Sequence, residues 1–93
     1  MTSIVFRTFG NISAITKQNQ MNMEFEGCTA EDFLNKLIEE FGEDMKKILF
    51  PGGSLSDLIF ILINGRNIEG LEGLESKIKD GDVVSVLPMT AGG

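Results

Sequence analysis

The sequence LIFILINGRN, from Leu58 to Asn67, joins an apolar run to a signal for a tight turn. Leu58–Ile63 is apolar at every position, which is typical of a strand that is covered on both faces. Asn64-Gly65 follows directly, and this dipeptide is the strongest short-range indication of a hairpin turn. We therefore predict a central strand here, with a helix on one side, that ends in a tight turn.

The last strand is predicted in VVSVLP, from Val83 to Pro88. Its β-branched residues favour a strand, and the turn sequence Asp80-Gly81-Asp82 stands immediately before it. Residues 66–79 show no sustained periodicity. We expect them to form an irregular crossover, with a short strand around Asn67–Ile68.

Two further strands are predicted near the N-terminus. Ser3–Gly10 is rich in β-branched and aromatic residues and ends at a glycine. Met21–Gly27 alternates apolar and polar residues, which indicates a strand with one buried and one solvent-exposed face. Together they suggest a hairpin, and we interpret the polar stretch Asn11–Gln20 as its connecting loop.

The best-marked helix begins after Thr29. Thr29 and Asp32 have the spacing of a capping box, in which each side chain accepts a hydrogen bond from the other residue's backbone N–H. Apolar residues then recur along one side, and Gly42 is a typical residue for a helix end. These apolar residues are Phe33, Leu34, Leu37, Ile38 and Phe41. A short second helical turn is expected within Glu43–Phe50.

This order of elements predicts an α+β fold. A helix with a single apolar face is best covered by a mixed sheet of four to five strands wrapped around it. That is the β-grasp arrangement, which ubiquitin shares, although the order alone also fits a split α/β sandwich. We expect residues 1–88 to form this domain and residues 89–93, MTAGG, to form a flexible C-terminal tail ending in Gly-Gly.

The composition limits the classes of function. The 93 residues include 14 acidic and 8 basic residues, and the net charge of −6 argues against nucleic acid and anionic membrane partners. There is no histidine and only one cysteine, so His-assisted nucleophilic catalysis and a four-cysteine zinc site are excluded. We predict a non-enzyme with no catalytic residue, metal ligand or bound cofactor. With neither a signal peptide nor a membrane-spanning apolar run, we place it in the cytoplasm.

From Leu58 onward the sequence LIFILINGRNIEGLEGLESKIKDGDVVSVLPMTAGG closely resembles the ubiquitin-like sulfur carriers. These include the molybdopterin synthase small subunit and the archaeal small modifier proteins. The shared features are ILINGRNI, GLESKIKDGDVVSVLP and the terminal Gly-Gly, in that order. The helix in TAEDFLNKLIEEFG agrees in position, so the resemblance covers nearly the whole chain. One departure is Met89, where members often have a second proline, and it affects partner choice more than carrier chemistry.

The resemblance implies a carrier that is activated at its C-terminal carboxylate. A ubiquitin-activating-type adenylating enzyme, which itself holds ATP and Mg²⁺, would join Gly93 to AMP. Sulfide then converts the adenylate to a thiocarboxylate, which donates sulfur to a molybdopterin precursor on the synthase large subunit. Sulfur delivery to tRNA or thiamine is the alternative pathway, and attack by a protein lysine would instead give an isopeptide bond.

The tail is also expected to enter the active site of a partner enzyme. Its side chains become smaller toward the reacting end, and glycine backbone passes most easily through a narrow channel. The entering residues are Thr90, Ala91, Gly92 and Gly93. Residues predicted to contact the partner around the tail are Phe6, Leu58, Phe60, Arg66, Leu87 and Met89.

Two alternatives stay open on the sequence alone. The alternative to a carrier is a non-covalent ubiquitin-like interaction module whose tail is never activated. Deleting Gly92-Gly93 distinguishes the two, because only a non-covalent module would keep its partner binding and activity without them. Cys28, just before the helix, is interpreted as half of a hydrophobic staple with Phe33. The other interpretation of Cys28 is a reactive thiol, which we disfavour because no base accompanies it.

Overall fold

The computed structural model describes residues 1–88, and the predicted tail, residues 89–93, lies outside them. The described residues form a five-stranded sheet and three α-helices, joined in part by short 3₁₀ turns. The strands are β1 (Thr2–Thr8), β2 (Gln20–Phe25), β3 (Ile59–Ile63), β4 (Arg66–Asn67) and β5 (Val83–Pro88). The helices are α1 (Gly10–Thr16), α2 (Ala30–Phe41) and α3 (Glu43–Leu49).

The strand order across the sheet is β2-β1-β5-β3-β4. β1 pairs antiparallel with β2 and parallel with β5, while β3 pairs antiparallel with both β5 and β4. The first and last strands are therefore neighbours within the sheet, and β5 is hydrogen-bonded on both sides. This mixed sheet against a main helix confirms the predicted β-grasp fold.

Helix α2 has the predicted boundaries and covers the sheet. Its capping box is complete: the Asp32 N–H donates to Thr29 Oγ1 at 3.1 Å, and the Thr29 N–H donates to Asp32 Oδ2 at 3.2 Å. The Phe33 ring packs edge-on against Phe6 and Phe25, with centroids 5.2 and 5.5 Å away. All three rings are fully buried. Burying one such side chain stabilises the fold by about 1.5–3 kcal/mol.

The connection between β1 and β2 contains a helix, α1, so the prediction of a loop over Asn11–Gln20 is wrong. The helix has no side-chain N-cap and is only seven residues long. Isolated helices shorter than about 12 residues are marginal in water. What holds α1 in place is tertiary packing: Ile12 is fully buried in the core, and Ser13 Oγ lies 2.8 Å from Thr8 Oγ1.

Strand β3 is covered on one face, and the prediction that it is covered on both is wrong. Ile59, Ile61 and Ile63 point into the core and are 7%, 2% and 5% exposed. Phe60 and Leu62, which alternate with them, are only half-buried. β3 is also not the middle strand, because that position belongs to β5. The Asn64-Gly65 hairpin turn to β4 is confirmed, and both of its residues have positive φ.

Candidate functional site at the end of the last strand

Strand β5 anchors the point from which the tail continues. On one side Val86 pairs with Thr8 of β1, and on the other Pro88 pairs with Ile59 of β3. Two buried side chains of this strand, Val84 and Val86, also point into the core. The last described residue, Pro88, is therefore held in position relative to the whole fold.

Two large apolar side chains lie at the same sheet edge as Pro88. β1 runs parallel to β5, so Phe9 follows β1 at this edge; β3 runs antiparallel, so Leu58 precedes β3 here. Phe9 is 38% exposed and Leu58 is 64% exposed. The Arg7 guanidinium carbon lies 5.7 Å from the centre of the Phe9 ring, within the range of a cation–π contact. We call Phe9, Leu58 and Pro88 the exit rim.

The opposite end of β5 is fixed by the two turn motifs that the sequence singled out. Asn64 Oδ1 accepts a hydrogen bond from the Val83 N–H at 2.9 Å, and Asn64 Nδ2 donates to Asp82 Oδ1 at 3.0 Å. Asp82 Oδ2 in turn accepts from the Lys79 N–H at 2.9 Å. The NGR and DGD turns thus contact each other directly, and their shared role is to hold the start of β5.

The sheet face that points away from the helices carries an apolar surface next to the exit rim. Phe60 of β3 and Leu87 of β5 are direct cross-strand partners on this face. None of the strand residues on it is fully buried. We define the outer face by its half-buried members on β1, β3 and β5: Val5, Phe60, Leu62, Val83, Ser85 and Leu87. Apolar area that stays accessible in this way is typical of a surface that contacts a partner.

The structure brings together only part of the predicted contact set. Leu58, Phe60 and Leu87 form one surface from the exit rim onto the outer face. Phe6 is wrong as a contact residue, because it points to the opposite face and is 0% exposed. Arg66 is exposed but pairs with Ile63, at the far end of β3 and on the helix-covered side, so it lies apart from the others. Met89 lies outside the described residues.

Sequence reasoning missed Phe9 and Gly10. The sequence pattern places both residues at the end of the first predicted strand, where neither an aromatic residue nor a glycine indicates a functional role. The available signal was topological: in a β-grasp fold the first and last strands are parallel neighbours, so they end at the same edge. Residues that follow β1 must therefore lie beside the residues that end β5.

The N-terminus of α2 holds a carboxyl group, that of Asp32, whose pKa is clearly shifted. The backbone N–H of Cys28 donates to Asp32 Oδ2 at 3.1 Å. This bond, with the Thr29 contacts and the nearby Lys77 ammonium, holds the pKa of Asp32 below its usual range. Cys28 itself is exposed, and its Sγ lies 4.0 Å from Lys77 Nζ. The structure does not support the staple, which requires this thiol to be covered.

Within residues 1–88, no three His, Cys, Asp or Glu side chains come close enough together to hold a metal ion. No helix in this part of the chain has the length and apolar character needed to cross a membrane.

Residues 7–93 match the ThiS family. The match begins near the end of β1, spans β2 to β5 and all three helices, and reaches the terminal Gly93. The chain belongs to the ThiS family.

The names of individual relatives of this ThiS-family chain describe carrier and modifier proteins. A protein of Archaeoglobus fulgidus named as a sulfur carrier is 38% identical over 82 residues, which are 88% of this chain and 93% of that protein. Small archaeal modifier protein 3 of Haloferax volcanii is 34% identical over 68 residues, 73% of each chain. The solution structure of small archaeal modifier protein 1 from Methanosarcina acetivorans superposes with a TM-score of 0.87 at 31% identity, covering 100% of this chain and 98% of that one.

These comparisons confirm the resemblance inferred from the sequence. The family is one of small ubiquitin-like carrier and modifier proteins, and its β-grasp fold is the fold of this chain. The part of the ThiS-family match beyond Pro88 contains the Gly-Gly terminus.

Proposed function

We propose that this chain is a cytoplasmic sulfur carrier whose Gly93 carboxylate is adenylated and converted to a thiocarboxylate. The observation that carries the proposal is the family match through Gly93, together with relatives named as a sulfur carrier and as modifier proteins. The anchored end of β5 supports it, because a carrier must present its terminus at a defined place. The chain acts as a co-substrate, and catalysis resides in its partner enzymes.

The proposed chemistry has two steps at Gly93. In the first, a Gly93 carboxylate oxygen attacks the α-phosphorus of ATP, so an acyl–phosphate bond forms and pyrophosphate leaves. In the second, hydrosulfide attacks the acyl carbon and AMP leaves, which gives the thiocarboxylate. ATP and Mg²⁺ belong to the adenylating enzyme in this scheme, since the chain itself contains no phosphate-binding loop.

In the proposal, the thiocarboxylate donates its sulfur to a specific acceptor. Its sulfur attacks an electrophilic carbon of a molybdopterin precursor bound to the synthase large subunit and displaces an oxygen leaving group from that carbon, which gives a thioester. Water then attacks the thioester carbonyl, so the product leaves as a thiol and the Gly93 carboxylate is restored. A second fate starts from the adenylate: a protein lysine amine attacks the acyl carbon, AMP leaves, and an isopeptide bond forms. The modifier names of two relatives favour this second fate.

Docking on both enzymes is assigned to the outer face and the exit rim. Leu58, Phe60 and Leu87 would form the apolar contact, while Thr90, Ala91, Gly92 and Gly93 enter the enzyme's active site. Met89, which joins Pro88 to these residues in the sequence, is proposed to contact the partner as well. Phe9 adds apolar area on the other side of Pro88. The negative charge of the chain favours encounter with a partner whose docking surface is basic.

Intact mass spectrometry tests the proposal. The chain is incubated with ATP, an adenylating enzyme of proven activity and a sulfide source. We expect one oxygen to be replaced by sulfur at Gly93. A matched variant carries one alanine added after Gly93, which leaves residues 1–88 untouched but blocks the reacting carboxylate. Loading of the extended variant, or no loading of the natural chain, would reject the proposal; the second result would favour the non-covalent module.

A second reaction distinguishes the acceptors. The purified thiocarboxylate is mixed with the molybdopterin synthase large subunit and its precursor, and in parallel with the tRNA and thiamine systems. We expect Gly93 to return to the carboxylate only in the molybdopterin reaction. Consumption in one of the other reactions alone would reassign the pathway without changing the carrier chemistry.

A further inference from the structure

We propose that Gly10 is a positioning residue that sets the direction in which the chain leaves the sheet at Pro88. It would thereby aim the tail at the site where Gly93 is activated. The aiming role rests on the proposed activation of Gly93, whereas the effect of Gly10 on the direction of the chain does not.

Gly10 and Pro88 approach so closely that a side chain at position 10 would displace one of them. Gly10 has φ +60°, and a Cβ built on it would lie 2.8 Å from Pro88 Cγ and 3.6 Å from Pro88 Cδ. Favourable carbon–carbon contacts lie at about 3.5–4.0 Å. A methyl group at position 10 therefore requires the Pro88 ring to move or the start of α1 to shift.

Apart from a change of ring pucker at Cγ, the Pro88 ring cannot move without moving the backbone. Its ring closes onto the backbone nitrogen, so the torsion φ is locked. Pro88 pairs with Ile59 of β3 on one side of β5, and Gly10 lies on the other side, where β1 ends. Displacement of the ring thus tilts the last residue of β5 and changes the direction of the bond to residue 89.

The requirement for glycine at position 10 goes beyond its backbone conformation. Gly73 has nearly the same torsion, φ +59°, but a Cβ placed there meets nothing within 4 Å. Alanine at either position is strained by this positive φ. Only at position 10 does the added methyl group meet Pro88, so Gly73→Ala is a matched control for Gly10→Ala.

The experiment compares these two variants by NMR and by kinetics. In Gly10→Ala we expect the Met89 amide resonance and its residual dipolar coupling to change, while in Gly73→Ala both stay at the natural values. In adenylation assays we expect kcat for Gly10→Ala to fall about 10- to 100-fold, because a small misplacement of a reacting group has effects of that size. KM should change much less than kcat, because the apolar contact of Phe60 and Leu87 on the outer face is untouched.

Two further variants distinguish an effect on the direction of the chain from a general effect on folding. If Gly10→Ala folds poorly, Gly10→Asn introduces a Cβ in a residue that tolerates the left-handed region. Pro88→Ala removes both ring atoms that the new Cβ would meet. Adding Gly10→Ala to Pro88→Ala should then cause no additional loss of kcat, whereas a merely structural role of Gly10 predicts the same loss in either background.

The outcomes separate this inference from the proposed function. An unchanged Met89 amide in Gly10→Ala, or equal kcat values for Gly10→Ala and Gly73→Ala, would overturn the role of Gly10 even when the natural chain is activated normally. A natural chain that an active enzyme fails to adenylate would reject the proposed function alone. In that case the Met89 amide still decides whether Gly10 directs the chain.

Discussion

The two faces of the sheet carry similar apolar residues but differ in what covers them. In β3 the inward residues Ile59, Ile61 and Ile63 are nearly inaccessible, whereas Phe60 and Leu62 on the outer face keep part of their surface accessible. The first set stabilises the fold as part of the buried core. The second set gains less from folding, and its accessible apolar character fits the proposed docking on a partner enzyme.

Replacing one phenylalanine on each face of the sheet is the test of this difference with the largest expected effect. Phe6 is fully buried against Phe33, while Phe60 is half-buried on the outer face. We expect Phe6→Ala to lower the free energy of unfolding by about 3–5 kcal/mol, because a large buried ring leaves a cavity. Phe60→Ala should cost about 1 kcal/mol, since less area returns to water.

Urea denaturation monitored by circular dichroism measures both free energies of unfolding. If Phe6→Ala does not fold, Phe6→Leu provides the same ranking with a smaller cavity. Equal losses for Phe6 and Phe60 variants would mean that the outer face is as important for stability as the core. The assignment of separate roles to the two faces would then be wrong.

A charged residue on the outer face tests the proposed docking role of that face. In Leu87→Asp we expect KM for adenylation to rise about tenfold with kcat unchanged, because a central apolar contact is worth more than 1 kcal/mol of binding. Leu71→Asp is the control: Leu71 is also a large exposed apolar residue, at 38%, but it lies in the crossover away from both the outer face and the exit rim.

Steady-state kinetics with the adenylating enzyme measure these effects, and thermal unfolding verifies that both variants fold. A tenfold rise in KM for Leu71→Asp, or none for Leu87→Asp, would contradict docking on the outer face. A loss confined to kcat would instead indicate that Leu87 acts through the exit of the chain.

The smallest expected effect concerns the helix that covers the inner face. The lowered pKa of Asp32 means that its carboxylate is stabilised in the folded state. Its contribution to stability is fully present above the unfolded pKa of about 3.9 and is lost as pH falls through the lower folded pKa. In Asp32→Asn, which keeps an acceptor oxygen but has no charge, this pH-dependent contribution is absent.

Urea denaturation of both proteins from about pH 7 to about pH 3 tests this, since that range covers the unfolded pKa. The difference in the free energy of unfolding should be constant at neutral pH and should shrink below about pH 4. A difference that is independent of pH would show that the Asp32 charge does not contribute through the capping box.

The sequence predicted those parts of the fold that depend on contacts within a few residues. The Thr29–Asp32 capping box, the end of α2 at Gly42 and the Asn64-Gly65 turn all rest on local hydrogen bonds or local backbone torsions. The short helix α1 was missed because it does not depend on such local contacts. Its local signals are weak, and it exists because Ile12 is buried in a core assembled from distant residues.

The sequence alone indicated the family, through the resemblance of its ordered motifs and Gly-Gly terminus, and periodicity predicted the main helix and most of the strands. The tertiary structure decided which residues become neighbours. Only strand pairing removed Phe6 and Arg66 from the contact surface and placed Asn64 against Asp82. Only the parallel alignment of β1 with β5 placed Gly10 against Pro88, residues 78 positions apart, at a distance that leaves no room for a Cβ.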